Sequence, residues 1–226
     1  MRRFLVLALT LAGGVVSPLA AQDARPGIVV LPFDNGGSYG QDKENFEALR
    51  LGIPAMLASE LSRNSSIRLV DRALTLSLPG DHGVAAGGRV DAGTAARVGK
   101  QAGARYVVMG TFIDFYGKFV IDARIVDAES GEIVKVISSG QKDRSQLHEM
   151  IRSTGQQIAA GAGVAALPAA ARGRAVPTEA LTQYSLGLLH EDRGDRTKAA
   201  DHYQRALAAV PDFAEARDGL RRVRPT

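Results

Sequence analysis

Residues 104–141, ARYVVMGTFIDFYGKFVIDARIVDAESGEIVKVISSGQ, leave this chain few folds to choose from. Three segments rich in β-branched and aromatic residues, 106–115, 119–127 and 132–139, are joined by the short turns Tyr116-Gly117-Lys118 and Ala128-Glu129-Ser130-Gly131. Residues of this kind suit a pleated surface. Within 119–127, Phe119, Ile121, Ala123 and Ile125 point one way, and Asp122 and Arg124 point the other with Val120 and Val126. A period of two marks a sheet with one dry and one wetter face, so the stretch predicts a three-strand antiparallel meander. The dry face of a meander must be covered by something apolar, and the amphipathic segments around it are the expected roof.

Those segments follow in order along the chain. Residues 27–33, GIVVLPF, predict a central buried strand, apolar on both faces. The loop 34–38 comes next, then a helix over 44–64 with Phe46, Leu49, Ile53, Leu57 and Leu61 on one stripe. Pro54 lies inside that helix and predicts a kink or a fresh start there. A short strand is expected over 66–71, and the alternation of Leu74, Leu76 and Leu78 predicts an apolar edge segment before a mobile loop in 79–88. A helix over 91–102 with Gly103 as its C-terminal cap precedes the meander. After it, 144–160 predicts a helix with Leu147, Ile151 and Ile158 inward and Ser145 as a candidate N-cap. The fold expected is an α/β (α+β layered) domain over 27–160, with a mixed sheet ending in the meander.

The two ends have other compositions. Arg2 and Arg3, the apolar stretch 4–16 and the small residues around Ala20 and Ala21 predict a secretory leader over 1–21. Its apolar stretch is shorter than the roughly 20 residues a membrane-spanning helix needs. An uncleaved anchor is the alternative, and no other segment is apolar and long enough to span a bilayer. The expected compartment is therefore periplasmic or exported, with outer-membrane association only through a partner. Residues 161–177, GAGVAALPAAARGRAVP, have no amphipathic period and predict a linker to a helical segment over 178–226.

Composition narrows the chemistry. The chain has no cysteine, which excludes disulfides, thiolate metal sites, a cysteine nucleophile and a lipid-bearing N-terminal cysteine. The net charge is +4, two units of which come from Arg2 and Arg3, so nothing points to nucleic acid. His82, His148, His190 and His202 are scattered, and no metal site or cofactor is expected. Asp114, Asp122 and Asp127 lie on the meander, with Asp122 expected opposite Phe112, which gives no acid/base pair. Ser59, Ser62 and Ser65 have no nucleophile elbow around them. The glycine-rich loop 34–38 fits neither phosphate-loop spacing and reads as a strand-to-helix connection, with a small-ligand role as its alternative. No catalytic residue is assigned, and function is expected to be binding.

Two resemblances sharpen this. Ile28-Val29-Val30-Leu31-Pro32-Phe33, then Ile67-Arg68-Leu69-Val70-Asp71-Arg72, then Ala102-Gly103-Ala104-Arg105-Tyr106-Val107-Val108-Met109-Gly110-Thr111-Phe112 with Asp127 before a Ser-Gly turn, resemble the periplasmic domain of CsgG-like secretion proteins and the TolB N-terminal domain. The resemblance covers about 27–160 and implies a fold and a compartment. The absent cysteine and the short hairpin turns depart from CsgG's lipid anchor and pore hairpins, whose strands need about 9–11 residues each within the bilayer. Residues 180–213 resemble one tetratricopeptide repeat: Leu186-Gly187, the turn Gly194-Asp195, Ala199, Tyr203, Ala206 and Leu207, then Pro211. Gln183 and His190 stand where that pattern has aromatics, and a terminal helix over 212–224 with Leu220 and Val223 would cap the hairpin. About three repeats are usually needed for stability. This one is therefore expected to pack on the α/β domain, pair with a second copy or accept a partner's helix, in the picture of a helical pair tethered outside the compact body.

The tetratricopeptide resemblance implies a concave face formed by Leu181, Tyr184, Leu188, Glu191 and Asp192, suited to a peptide or helix with basic flanks. Tyr184 and Leu188 packing on the neighbouring domain is the equal alternative. The function expected is an exported, non-enzymatic cell-envelope adaptor for an envelope protein or peptide. The alternative is a self-assembling structural subunit, a homo-oligomer.

Overall fold

The computed structural model describes residues 23–40, 42–76, 90–165 and 175–224. The leader, the 79–88 loop with His82, and the middle of the 161–177 linker lie outside the described residues.

The chain folds as an α/β layer built on a mixed sheet of seven strands. The strands are β1 (Gly27–Val30), β2 (Asp34–Asn35), β3 (Arg68–Leu69), β4 (Tyr106–Phe115), β5 (Lys118–Asp127), β6 (Ile133–Ser138) and β7 (Lys142–Asp143). The order is β3-β1-β4-β5-β6, with β2 beside β4 and β7 beside β5. β1 is parallel to both neighbours, whereas β4, β5 and β6 are the predicted antiparallel meander. The first turn holds two residues, Tyr116 and Gly117, both at positive φ (49° and 87°), as a tight two-residue hairpin requires. That turn is one residue shorter than the sequence suggested, so Asp122 stands opposite Thr111 and Ile121 opposite Phe112.

Among the described residues, seven helices cover or extend this sheet: α1 (Lys43–Ser62), α2 (Arg72–Leu76), α3 (Ala92–Gln101), α4 (Leu147–Gly161), α5 (Thr178–Asp192), α6 (Arg196–Ala209) and α7 (Ala214–Val223). Phe119, Ile121, Ala123 and Ile125 are all fully buried, beneath α1 and α4. The opposite face is dry only where α3 lies on it: Val29, Leu31, Val107 and Val126 pack against Ala95 and Val98.

Local chemistry explains the departures from expectation. α1 runs through Pro54 unbroken. Proline has no N–H for the carbonyl one turn back, and that carbonyl, of Arg50, instead accepts the Phe33 N–H at 2.9 Å. The segment expected as an edge strand forms the short helix α2, because the Asp71 carboxylate accepts the Ala73 N–H at 2.6 Å and starts a helical turn. Asp143, not Ser145, caps the 3-10 turn that leads into α4, accepting from the Ser145 N–H at 2.9 Å.

The C-terminal helices take the first of the three places expected for a lone repeat, on the α/β domain, and not the place of a tethered pair. They do not hang outside the body. α5 lies along α1, and the residues of both belong to one continuous apolar core. Gly52 makes this possible: a Cβ there would overlap the side chain of Ser185, which is fully buried. Ala48, Leu186 and Leu189 close the seam on one side. Within the hairpin, the buried ring of Tyr203 sits between Gly187 and Gly219, the small-residue approach expected of α5 and α6, with α7 closing over it.

Candidate functional site

Laying α5 on α1 creates a groove of about 520 Å³ along their junction. Its floor is apolar, from Pro32, Leu51, Pro54, Ala55, Leu69 and Leu188, and its rim is ionic, from Asp71, Arg72, Glu191, Asp192 and Arg222. A concave apolar trough of this size with a few convergent polar groups has the form of a binding site.

Tyr184, Leu188, Glu191 and Asp192 all line this groove, whereas Leu181 is fully buried beneath it. Tyr184 is only 5% exposed, its ring 5.2 Å from that of Phe213 and 6.0 Å from that of Tyr203. Burial pushes its phenol well above the usual range. It therefore forms part of the wall and does not project into the space.

The rim is held by a network across three helices. Arg222 of α7 grips Glu191 of α5 with two bonds, of 2.8 and 3.0 Å, and the Tyr203 hydroxyl donates to the same carboxylate at 2.5 Å. Burial works against the Glu191 charge, but the hydrogen bonds from Arg222 and Tyr203 outweigh it and hold its pKa below the ordinary value. Arg72 of α2 pairs with Asp192 and ties the rim to the sheet side. The α1 side of the groove was not found from sequence. Its signal is a second run of small or apolar residues on α1, at Ala48, Leu51, Gly52, Ala55 and Ala58, which leaves that helix apolar on two faces.

The other sequence candidates fall apart as a set. Asp114 is buried against Arg144 Nε at 2.5 Å and accepts the Gly117 N–H at 2.9 Å. Asp127 pairs with Arg105 at 2.8 Å and accepts from the turn amides of Glu129 and Ser130. Both serve the hairpin ends. Ser59 bonds to Glu215 and Ser62 to the Ser59 carbonyl. In the 34–38 loop, Asn35 Oδ1 takes the amides of Gly37 and Ser38 at 3.1 and 2.9 Å, so the N–H groups a phosphate would use are already bound. His190 and His202 stack, 5.2 Å apart and nearly parallel. Among the described residues, no group of three or more His, Cys, Asp or Glu could hold a metal ion. Nor is any described helix long and apolar enough to cross a membrane.

The class defined by this geometry is a mixed-sheet α/β protein with a helical hairpin and a third helix packed on its longest helix. No protein-family model and no curated protein matches the chain. Among solved structures it is similar to E. coli LpoB, at 18% identity over 50% of this chain and 56% of that one, with a TM-score of 0.36. It is also similar to TolB from Acinetobacter baumannii, at 17% identity over 61% and 27%, with a TM-score of 0.37. The third is lipoprotein GNA1162 from Neisseria meningitidis, at 18% identity over 59% and 96%, with a TM-score of 0.37. The chain thus spans little more than half of LpoB.

Proposed function

We propose that this chain is an exported, non-enzymatic cell-envelope adaptor that binds a partner protein in the groove between α1 and α5. In this reading residues 1–21 are the leader, 27–160 a CsgG/TolB-N-like body, 161–177 a linker, and 178–226 a tetratricopeptide-type hairpin with its capping helix. The observation that carries it is the 520 Å³ trough, apolar below and ionic at the rim, lined by Tyr184, Leu188, Glu191 and Asp192, four of the five residues that the repeat resemblance implies for a concave face. The partner suited to it is an extended peptide or helix that lowers apolar side chains between Leu51 and Leu188, with a basic residue meeting Asp71, since Glu191 and Asp192 are held by Arg222 and Arg72.

Ala58 lines the groove and is half-buried, so a long side chain there fills the trough without entering the core. Ala58→Arg is expected to abolish co-purification of the envelope partner and leave the melting temperature within a few degrees of the parent. A variant that keeps every partner while folded would rule the groove out.

A second reading, a self-assembling structural subunit, has one observation in its favour. β6 is the outer strand of the sheet, and Ile133, Val134 and Val136 on it are 46%, 45% and 64% exposed. Apolar edge strands invite pairing with another chain. Light scattering decides: association that Val136→Lys removes supports this reading, and a monomer at all concentrations refutes it.

A further inference from the structure

The face of the sheet turned away from α1 and α4 is covered by α3 only in part. Where the cover ends, a hollow of about 700 Å³ opens over β4, β5 and β6. Its apolar lining comes from Val90 and Ala92 at the start of α3 and from Met109, Ile133 and Val136 of the sheet. A concavity of this volume suits a small molecule better than the flat face of a protein.

Strand register sorts the floor into two rows. Thr111 of β4 stands opposite Asp122 of β5, which stands opposite Ser138 of β6. Two residues along, Met109, Arg124 and Val136 form the next row. Directly opposed residues share a face of the sheet. Ile121, Ala123 and Ile125 are turned to the core, so Asp122 and Arg124, which alternate with them, are turned to the hollow. Along the strand their Cα atoms lie about 7 Å apart.

The charges in the hollow fall into two groups. Asp91 is engaged as the cap of α3, accepting the Thr94 N–H at 2.7 Å, and Asp34, beside Thr111 on β2, meets Arg50 at 4.0 Å. The side chains of Asp122 and Arg124 make no hydrogen bond or ion pair with a described residue, nor do they pair with each other. What the hollow offers is therefore one carboxylate and one guanidinium, fixed on a central strand and flanked by apolar side chains. A simple anion would satisfy Arg124 and be repelled by Asp122, and a simple cation the reverse. A small zwitterion satisfies both, and the Thr111 hydroxyl opposite Asp122 adds an acceptor for an ammonium group.

We propose that this hollow binds an α-amino acid with an apolar side chain, free or as a dipeptide, at a site separate from the groove. The ammonium meets Asp122 and Thr111, the carboxylate meets Arg124, and the side chain lies against Met109 and Val136. The protein without leader residues 1–21, which keeps every described element, is to be titrated calorimetrically with leucine, methionine, phenylalanine and the dipeptide of two leucines. At least one of the four is expected to bind. The N-acetyl form of that compound, without its ammonium, and the amide form, without its carboxylate, should each bind about tenfold more weakly or worse. Asp122→Asn and Arg124→Gln, at the parent's melting temperature, should each weaken it by a like factor. A preference for the dipeptide makes a peptide the source of the ligand and a preference for leucine makes it the free amino acid, and both agree with the proposal. No binding by any of the four, equal binding of the acetylated and amidated forms, or an unchanged affinity in the two variants overturns it. So does a protein partner that Asp122→Asn releases while no amino acid binds, which assigns the face to a protein interface.

Discussion

Gly52 decides how close α5 comes to α1. Its missing Cβ is the space filled by Ser185, whose own hydroxyl donates to the Leu181 carbonyl at 2.7 Å. Gly52→Ala must push the helices apart or force Ser185 off its rotamer, and overpacking of this kind costs about 1–3 kcal/mol. The loss should appear as a lower urea midpoint. Combined with Ser185→Gly it should fall short of the sum of the two single losses by more than about 0.5 kcal/mol, because the two positions meet. Strict additivity would mean that the helices do not touch there. This contact also shows why residue-scale reading of the sequence stopped short. A glycine two residues before a proline in a helix looks like a weak point, and only the partner helix reveals it as a fitted surface. Tyr184, Leu188, Glu191 and Asp192 could be named from a repeat pattern, whereas Leu51, Ala55 and Ala58 could not, because small side chains leave no strong apolar stripe.

At the scale of elements, the meander was legible because two turns and a period of two fix the strands and the buried face, and the faces of Phe119 and Ile125 followed, whereas the register of β4 on β5 shifted by one residue because the turn holds two residues and not three. α4 was legible from Leu147, Ile151 and Ile158. The two-residue β2 and the short α2 were hidden, since so few residues carry no period, whereas β3 lies inside the strand expected over 66–71. What ties α4 to the C-terminal helices was hidden as well: His148 Nδ1 accepts the Val176 N–H at 3.2 Å, just before α5 begins. That bond needs an unprotonated Nδ1. Burial, with Arg152 nearby, lowers the His148 pKa, and burial, with His190 and Arg205 nearby, lowers that of His202. The unfolded chain, with imidazoles near the ordinary value of about 6.5, binds protons that the folded chain refuses. Stability from these groups is therefore full above that value and lost as the pH falls below it. Urea unfolding at pH 7.5 and pH 5.5 should show the folded state weakening on acidification, and less so in His148→Gln. A stability that rises on acidification, or an unchanged slope in the variant, contradicts this.

For the whole molecule, the question is whether the helical hairpin is a tethered appendage or part of the body. The sequence leaves both open: a run of Ala, Gly and Pro suggests a tether, and a single repeat needs a surface to pack on. The structure has one apolar core running from Ile28 and Phe33 through α1 to Leu181, Tyr203 and Val223. The ion pairs Arg72–Asp192 and Glu44–Arg193 bind the same two parts from outside. The groove exists only because of this packing, and so does the proposed adaptor function. The chain has no cysteine, so two can be introduced as labels alone. Lys100 on α3 and Gln204 on α6 are exposed and suit the purpose. Spin labels at Lys100→Cys and Gln204→Cys, measured by double electron–electron resonance, should give one narrow distance distribution that broadens in Gly52→Ala. A broad distribution in the parent protein, as from a hairpin swinging on a flexible tether, would contradict the account.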